Sequence, residues 1–199
     1  MHVRLSVWIS GLLLTPLAAC GGTTDDRVDQ RASGTINVSA LDGGRGVRPI
    51  PGTKVNIGTF GSTILCVPRG LHHEVVITGL SFHGPDAPQP NDVDAVLREV
   101  DRRKGDGGQA PFIGALRGSW RDAKKEYSGS YVAAEGARVD RPCGDERGFT
   151  ELLVTVRSRN GAAADGFGIR YRVGSTPKLA HVPTELRVCG PALPKSELC

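Results

Sequence analysis

After position 19 no apolar run is long enough to cross a bilayer as a helix, which takes about 20 residues. The one long apolar run, Leu-Ser-Val-Trp-Ile-Ser-Gly-Leu-Leu-Leu at 5–14, lies at the very start of the 199-residue chain. No Cys-x-x-Cys pair occurs, so the cysteines lack the spacing of a zinc site. No Gly-x-Ser-x-Gly elbow is present either. Its nearest approach, Gly79-Leu80-Ser81-Phe82-His83-Gly84, has His83 in the second glycine's place and sits in an expected strand with no helix after it. Gly105-Asp106-Gly107-Gly108 lacks the Lys-Ser/Thr and the following helix of a phosphate loop. Asp86, Asp92, Asp94, Asp101 and Asp106 lack the spacing and closing Glu of a calcium hand. Of the histidines, His72 and His73 are adjacent and point to opposite faces of a strand. With His83 and His181 they read as surface or turn residues. No catalytic residue, metal ligand or cofactor is expected.

Charge excludes a further class. The net charge is +4, and losing the leader's one arginine, Arg4, leaves +3, too little to argue for a nucleic-acid partner. Residues 1–19 have the parts of a secretory signal: Arg4 in the n-region, the apolar run at 5–14, and Ala18 and Ala19 before the cleavage point. Leu17-Ala18-Ala19-Cys20, with Gly21 behind it, resembles the lipobox of bacterial lipoproteins. That resemblance implies a diacylglycerol on the Cys20 sulfur, cleavage before Cys20 and acylation of its amine. Each buried methylene contributes about 0.8 kcal/mol, so two or more chains hold where one would not. The expected location is the extracytoplasmic face of a bacterial cell membrane.

The remaining 180 residues have the length of one domain. Four cysteines stay after Cys20: Cys66, Cys143, Cys189 and Cys199. An even number in an exported chain reads as two disulfides with three possible connectivities. The expected pairing is Cys66–Cys189 with Cys143–Cys199, because Cys189 and Cys199 are too close in sequence to brace the domain together.

Residues 20–52, rich in Gly, Asp, Ser, Thr and Arg with balanced charges, read as a flexible tether. Docking of Ile36-Asn37-Val38 as a stray strand is the alternative. From 53 the texture becomes strand-like. Runs at 62–67 and 73–82 are rich in β-branched residues. In 149–156, Leu152, Val154 and Val156 share a face. Phe167, Ile169, Tyr171 and Val173 alternate with Gly168, Arg170 and Arg172 as a half-buried strand. Another strand is expected at 112–116 and a last one at 184–189. Residues 119–139 read as a long, weakly ordered connection. In 93–103, Val93, Val96, Leu97 and Val100 fall at helical spacing, with Asn91 as cap and Gly105 as stop. Equally, Val93, Ala95 and Leu97 alternate against Asp94, Val96 and Arg98 as a short strand. These signals give an all-β chain, a small immunoglobulin-like β-sandwich with long loops over 53–190 and a tail at 191–199.

Cys66-Val67-Pro68, Pro142-Cys143-Gly144, Glu151-Leu152-Leu153-Val154 and Arg187-Val188-Cys189 together resemble actinobacterial lipoproteins of small β-sandwich build. The resemblance covers about 62–189. It implies a strand at 93–100 and carries no activity.

One surface feature stands out. Residues 98–125 hold eight basic side chains against four acidic ones, and Arg102, Arg103, Lys124 and Lys125 are the candidate contacts for an anionic surface. The alternative is a solvated face that keeps the domain soluble. Trp120, the one tryptophan after the leader, is a binding aromatic or a core anchor. The expected function is a cell-envelope binding or interaction module, meeting the membrane through Cys20 and an anionic envelope polymer or another envelope protein. The alternative is an envelope hydrolase with a site assembled from distant residues.

Overall fold

A computed structural model describes residues 35–40, 43–84, 88–104 and 112–199. The leader, the lipobox and Cys20 lie outside the described residues. In chain order the elements are β1 (Asn37–Ala40), β2 (Arg45–Val47), β3 (Asn56–Cys66), β4 (Val75–His83) and β5 (Asp92–Asp101). Then come β6 (Ala115–Arg117), the short helix α1 (Trp120–Glu126), β7 (Ser130–Ala133), β8 (Arg138–Val139) and β9 (Gly148–Ser158). The last four strands are β10 (Ala162–Ala164), β11 (Gly166–Val173), β12 (Thr176–Val182) and β13 (Leu186–Val188).

β9 is central because it is apolar or paired on both faces. Leu152, Val154 and Val156 point one way, Glu151, Leu153 and Thr155 the other, and all six are buried. A strand covered on both sides must carry such a pattern. Around it forms a sheet in the order β1-β3-β9-β5-β7, with β6 beside β3. A second sheet runs β12-β11-β4-β8, and a third, smaller one runs β10-β13-β2. The result is an all-β sandwich. Its core joins Leu65, Leu97, Leu152, Val154 and Val156 to Val75, Ile77, Phe167, Ile169 and Tyr171. Full burial of each aliphatic or Phe side chain contributes about 1.5–3 kcal/mol.

The stretch 93–103, helical by local spacing, is strand β5 for nearly all its length. It pairs with β9 from Asp92↔Arg157 to Asp101↔Gly148. Leu97 faces the sandwich core, while Val96 faces a second cluster with Ile113, Ala123 and Leu153. Apolar residues on both faces of a strand imitate the i, i+3, i+4 spacing of a helix. The resemblance-based reading of 93–100 therefore agrees with the fold and the local helical reading does not.

Three expectations are corrected. The expected tether at 20–52 does not hold for residues 37–40 and 45–47, since β1 pairs with β3 and β2 lies parallel to β13. Ile36, Val38 and Val47 are buried, enough apolar surface to hold the segment on the domain. The connection at 119–139 contains α1, β7 and β8, ordered because Trp120, Tyr127 and Tyr131 pack over Val96 and Leu153. Trp120 donates its ring N–H to Asp94 at 2.7 Å and stacks on Tyr131. The expected strand at 112–116 starts three residues later and is shorter, as β6.

The disulfides are Cys66–Cys143 and Cys189–Cys199, so the pairing Cys66–Cys189 with Cys143–Cys199 is wrong. Val67 forms a bridge with Pro142, and Cys143 N–H donates to Val67 O at 2.9 Å. This contact brings Cys143 to the end of β3. The tail at 191–199 turns back through Ala192 N–H to Asn160 O, and Cys199 closes on the residue just after β13.

Candidate functional site

The basic residues expected to act together occupy different parts of the fold. Arg102 and Arg103 lie on the turn after β5, where Arg102 donates to Glu146 O at 3.2 Å. Lys124 and Lys125 lie in the last turn of α1, and Lys125 pairs with Asp122 at 2.8 Å. Arg121 packs on the Trp120 ring and reaches Asp94. Arg98 faces no solvent at all. Its guanidinium pairs with Glu151 at 2.8 Å, donates to Ser128 O, and stands 5.6 Å from the centroids of both Tyr127 and Phe149.

The Glu151 carboxylate is built into the sheet by a bulge in β3 between Phe60 and Thr63. Ser62 takes φ 62°, the left-handed region that non-glycine residues seldom enter. That turn aims its N–H at Glu151 Oε1, 2.7 Å away, while Ile113 N–H donates to the same oxygen at 2.8 Å. Burial pushes the Glu151 carboxyl up; the Ser62 N–H, the Arg98 guanidinium and the Ile113 N–H oppose it. The group is sealed under 112–131 and reads as structural.

An open cleft lies at one corner of the sandwich. β8 pairs with β4 only at Val75 and Val76, and β7 pairs with β5 only from Val96 to Glu99. The chain then crosses between the sheets, with Ala134 N–H bonded to Ala95 O and Gly136 N–H to Ile77 O. Beyond that crossing, among the described residues, no strand covers the free edges at 78–83 of β4 or 92–94 of β5. A cleft of about 420 Å³ opens there, walled by Leu80, Phe82 and Val93 and rimmed by Asp94, Glu135 and Arg170. Arg170 crosses from β11 over Gly79, whose φ of 148° and missing Cβ make room, and donates to Leu80 O at 3.0 Å. A cation on a strand edge also discourages edge-to-edge pairing with other chains.

The outer face of β12-β11-β4 carries a second group. Ser81 lies opposite Gly168, which in turn lies opposite His181, and His83 lies opposite Gly166. The His83 and His181 rings approach to 5.6 Å between centroids. Sequence spacing did not pair them; the glycine alternation on β11 was the one signal that a gap lay between. His72 and His73 stay apart from this face, on the turn before β4. Among the described residues no hydrogen bond joins Ser81 to either imidazole, and no set of three His, Cys, Asp or Glu side chains is placed to hold a metal.

No protein-family model matches the chain, and no curated protein or solved structure matches it.

Proposed function

We propose that the protein is a cell-envelope binding module, held at the outer face of the membrane by lipid on Cys20. The observation that carries this reading is the cleft between the free ends of β4 and β5, with its apolar wall and its three charged rim groups. Apolar walls with a few placed polar groups are the usual build of a ligand site. Two disulfides suit an oxidising compartment outside the cytoplasm. The ligand this cleft suits is an amphipathic envelope component, its apolar part against Leu80 and Phe82 and an anionic group toward Arg170. The two basic patches, Arg102 with Arg103 and Lys124 with Lys125, add electrostatic attraction to an anionic surface near the anchor.

The experiment is binding of the purified chain to anionic liposomes and to wall polymers across a salt series. Phe82→Asp and Arg170→Gln should weaken binding at every salt concentration. Replacing Arg102, Arg103, Lys124 and Lys125 by Gln should weaken it chiefly at low salt, where screening is least. Binding that neither set of changes alters rejects the cleft and the patches. Turnover of an envelope substrate replaces the module by the hydrolase.

A further inference from the structure

We infer that His83 and His181 form a binding site for a borderline divalent cation of the zinc, copper or nickel kind, on the outer face of β4, β11 and β12. Directly opposed residues of antiparallel strands share a face. The registers Ser81↔Gly168↔His181 and His83↔Gly166 therefore place Ser81, His83 and His181 on one side of the sheet. β4 and β12 are two strand spacings apart, about 10 Å, yet the two imidazole centroids are 5.6 Å apart. The rings close that gap by leaning over β11, which has no side chain at Gly166 or Gly168.

The contacts around Gly168 show the lean. A Cβ there would stand 2.7 Å from Ser81 Oγ, 2.8 Å from Leu179 Cδ1 and 3.5 Å from His83 Nε2. His83 thus directs a ring nitrogen inward over Gly168, toward the strand that carries His181. Both histidines are exposed, so an ion reaches them without opening the fold.

An imidazole binds zinc at about 2.1 Å, which sets the ring centre roughly 3.2 Å from the ion. Two rings 5.6 Å apart then subtend about 120° at a shared ion, close to the tetrahedral range. Imidazole nitrogen selects zinc, copper and nickel over the hard cations calcium and magnesium. The Ser81 hydroxyl and water fill the remaining positions. This site is separate from the inter-sheet cleft, and its test does not depend on the envelope-binding reading.

The test is calorimetric titration of the purified chain with zinc chloride and with copper sulfate, alongside a thermal melt with and without each ion. The expected result is saturable binding of one ion per chain and a higher melting temperature in its presence. His83→Gln and His181→Gln should each weaken binding by more than the roughly tenfold that even an outer-sphere partner costs. Both side chains are exposed, so their replacement leaves the apo melting temperature in place. The double change His72→Gln with His73→Gln should leave binding intact. Absence of saturable binding for either ion, or binding undiminished in both the His83 and the His181 variants, overturns the site.

Discussion

Arg98 Nη1 lies 2.8 Å from Glu151 Oε2, and neither side chain reaches solvent. Two elements depend on this contact. β5 and β9 carry the pair directly opposite each other, and the 112–131 segment is tied to it through Ile113 N–H and Ser128 O. Removing one partner of a buried pair leaves a desolvated charge and costs about 3–5 kcal/mol. Glu151→Ala should therefore lower the denaturant midpoint strongly, and Glu151→Gln somewhat less. The double change Arg98→Met with Glu151→Leu should recover only part of the loss: no charge is then left buried, but the Ser62 and Ile113 N–H groups lose their shared acceptor. A single variant within about 1 kcal/mol of the parent in urea melts would show that the pair does not brace the sheet.

The two disulfides should differ in weight. Cys66–Cys143 closes a loop of 77 residues and Cys189–Cys199 one of 10. Loop-closure entropy then assigns them roughly 4.5 and 2.7 kcal/mol respectively. Cys66→Ala with Cys143→Ala should destabilise the chain more than Cys189→Ala with Cys199→Ala in non-reducing melts. Peptide mapping of the unreduced protein checks the connectivity itself, and a fragment linking Cys66 to Cys189 would refute it.

The strand β11 was legible because Phe167, Ile169 and Tyr171 lie on its buried face, and period-two burial is a local property of a chain. β5 misled for a physical reason: Val96 and Leu97 are both buried, on opposite faces, and spacing cannot separate that from a helix. The pairing of Cys66 with Cys143 depends on the bridge between Val67 and Pro142. That contact is set by the arrangement of the sheets and by nothing near either cysteine. The histidines of the outer face meet through β11, which precedes His181 and follows His83 by more than 80 residues. The cleft, likewise, exists only because β7 and β8 stop short, and the sequence of β4 contains no sign of its neighbour's length.

Acid should loosen two turns before it unfolds the core. Lys125 and the Ser119 N–H and hydroxyl hold the Asp122 carboxyl down to about 2. Arg147, and more weakly Arg141, hold Asp145 at about 2 as well. Both values lie below the ordinary aspartate value of about 3.9. A carboxyl depressed in the folded state contributes stability above its unfolded value and loses it as the pH falls through the folded one. Stability from these two groups should thus be level from pH 7 to about 5 and decline between about pH 4 and pH 2. Glu151, pushed up by burial, works in the opposite sense and does not account for that decline. Asp122→Asn with Asp145→Asn should flatten the pH dependence of urea midpoints over this window. An unchanged slope in the double variant would remove these carboxylates from the acid response.

The anchor is the last expectation to test, and the fold makes the test clean. The described residues begin at Thr35, whose hydroxyl meets Tyr171 Oη at 3.0 Å, and Ile36 beside it is fully buried. Cys20 stands 15 residues earlier in the chain, a span that reaches at most about 50 Å when fully extended. None of the contacts described for the sandwich involves Cys20, which lies outside the described residues. Cys20→Ser removes the sulfur that would carry the diacylglycerol and with it the attachment that the acyl chains provide. Wild-type protein should enter the detergent phase on cloud-point partitioning. The variant should stay in the aqueous phase or keep its leader, with the two disulfides and the thermal melt of the domain unchanged. Equal detergent partitioning of the two proteins would show that the Leu17-Ala18-Ala19-Cys20 string is not read as a lipobox.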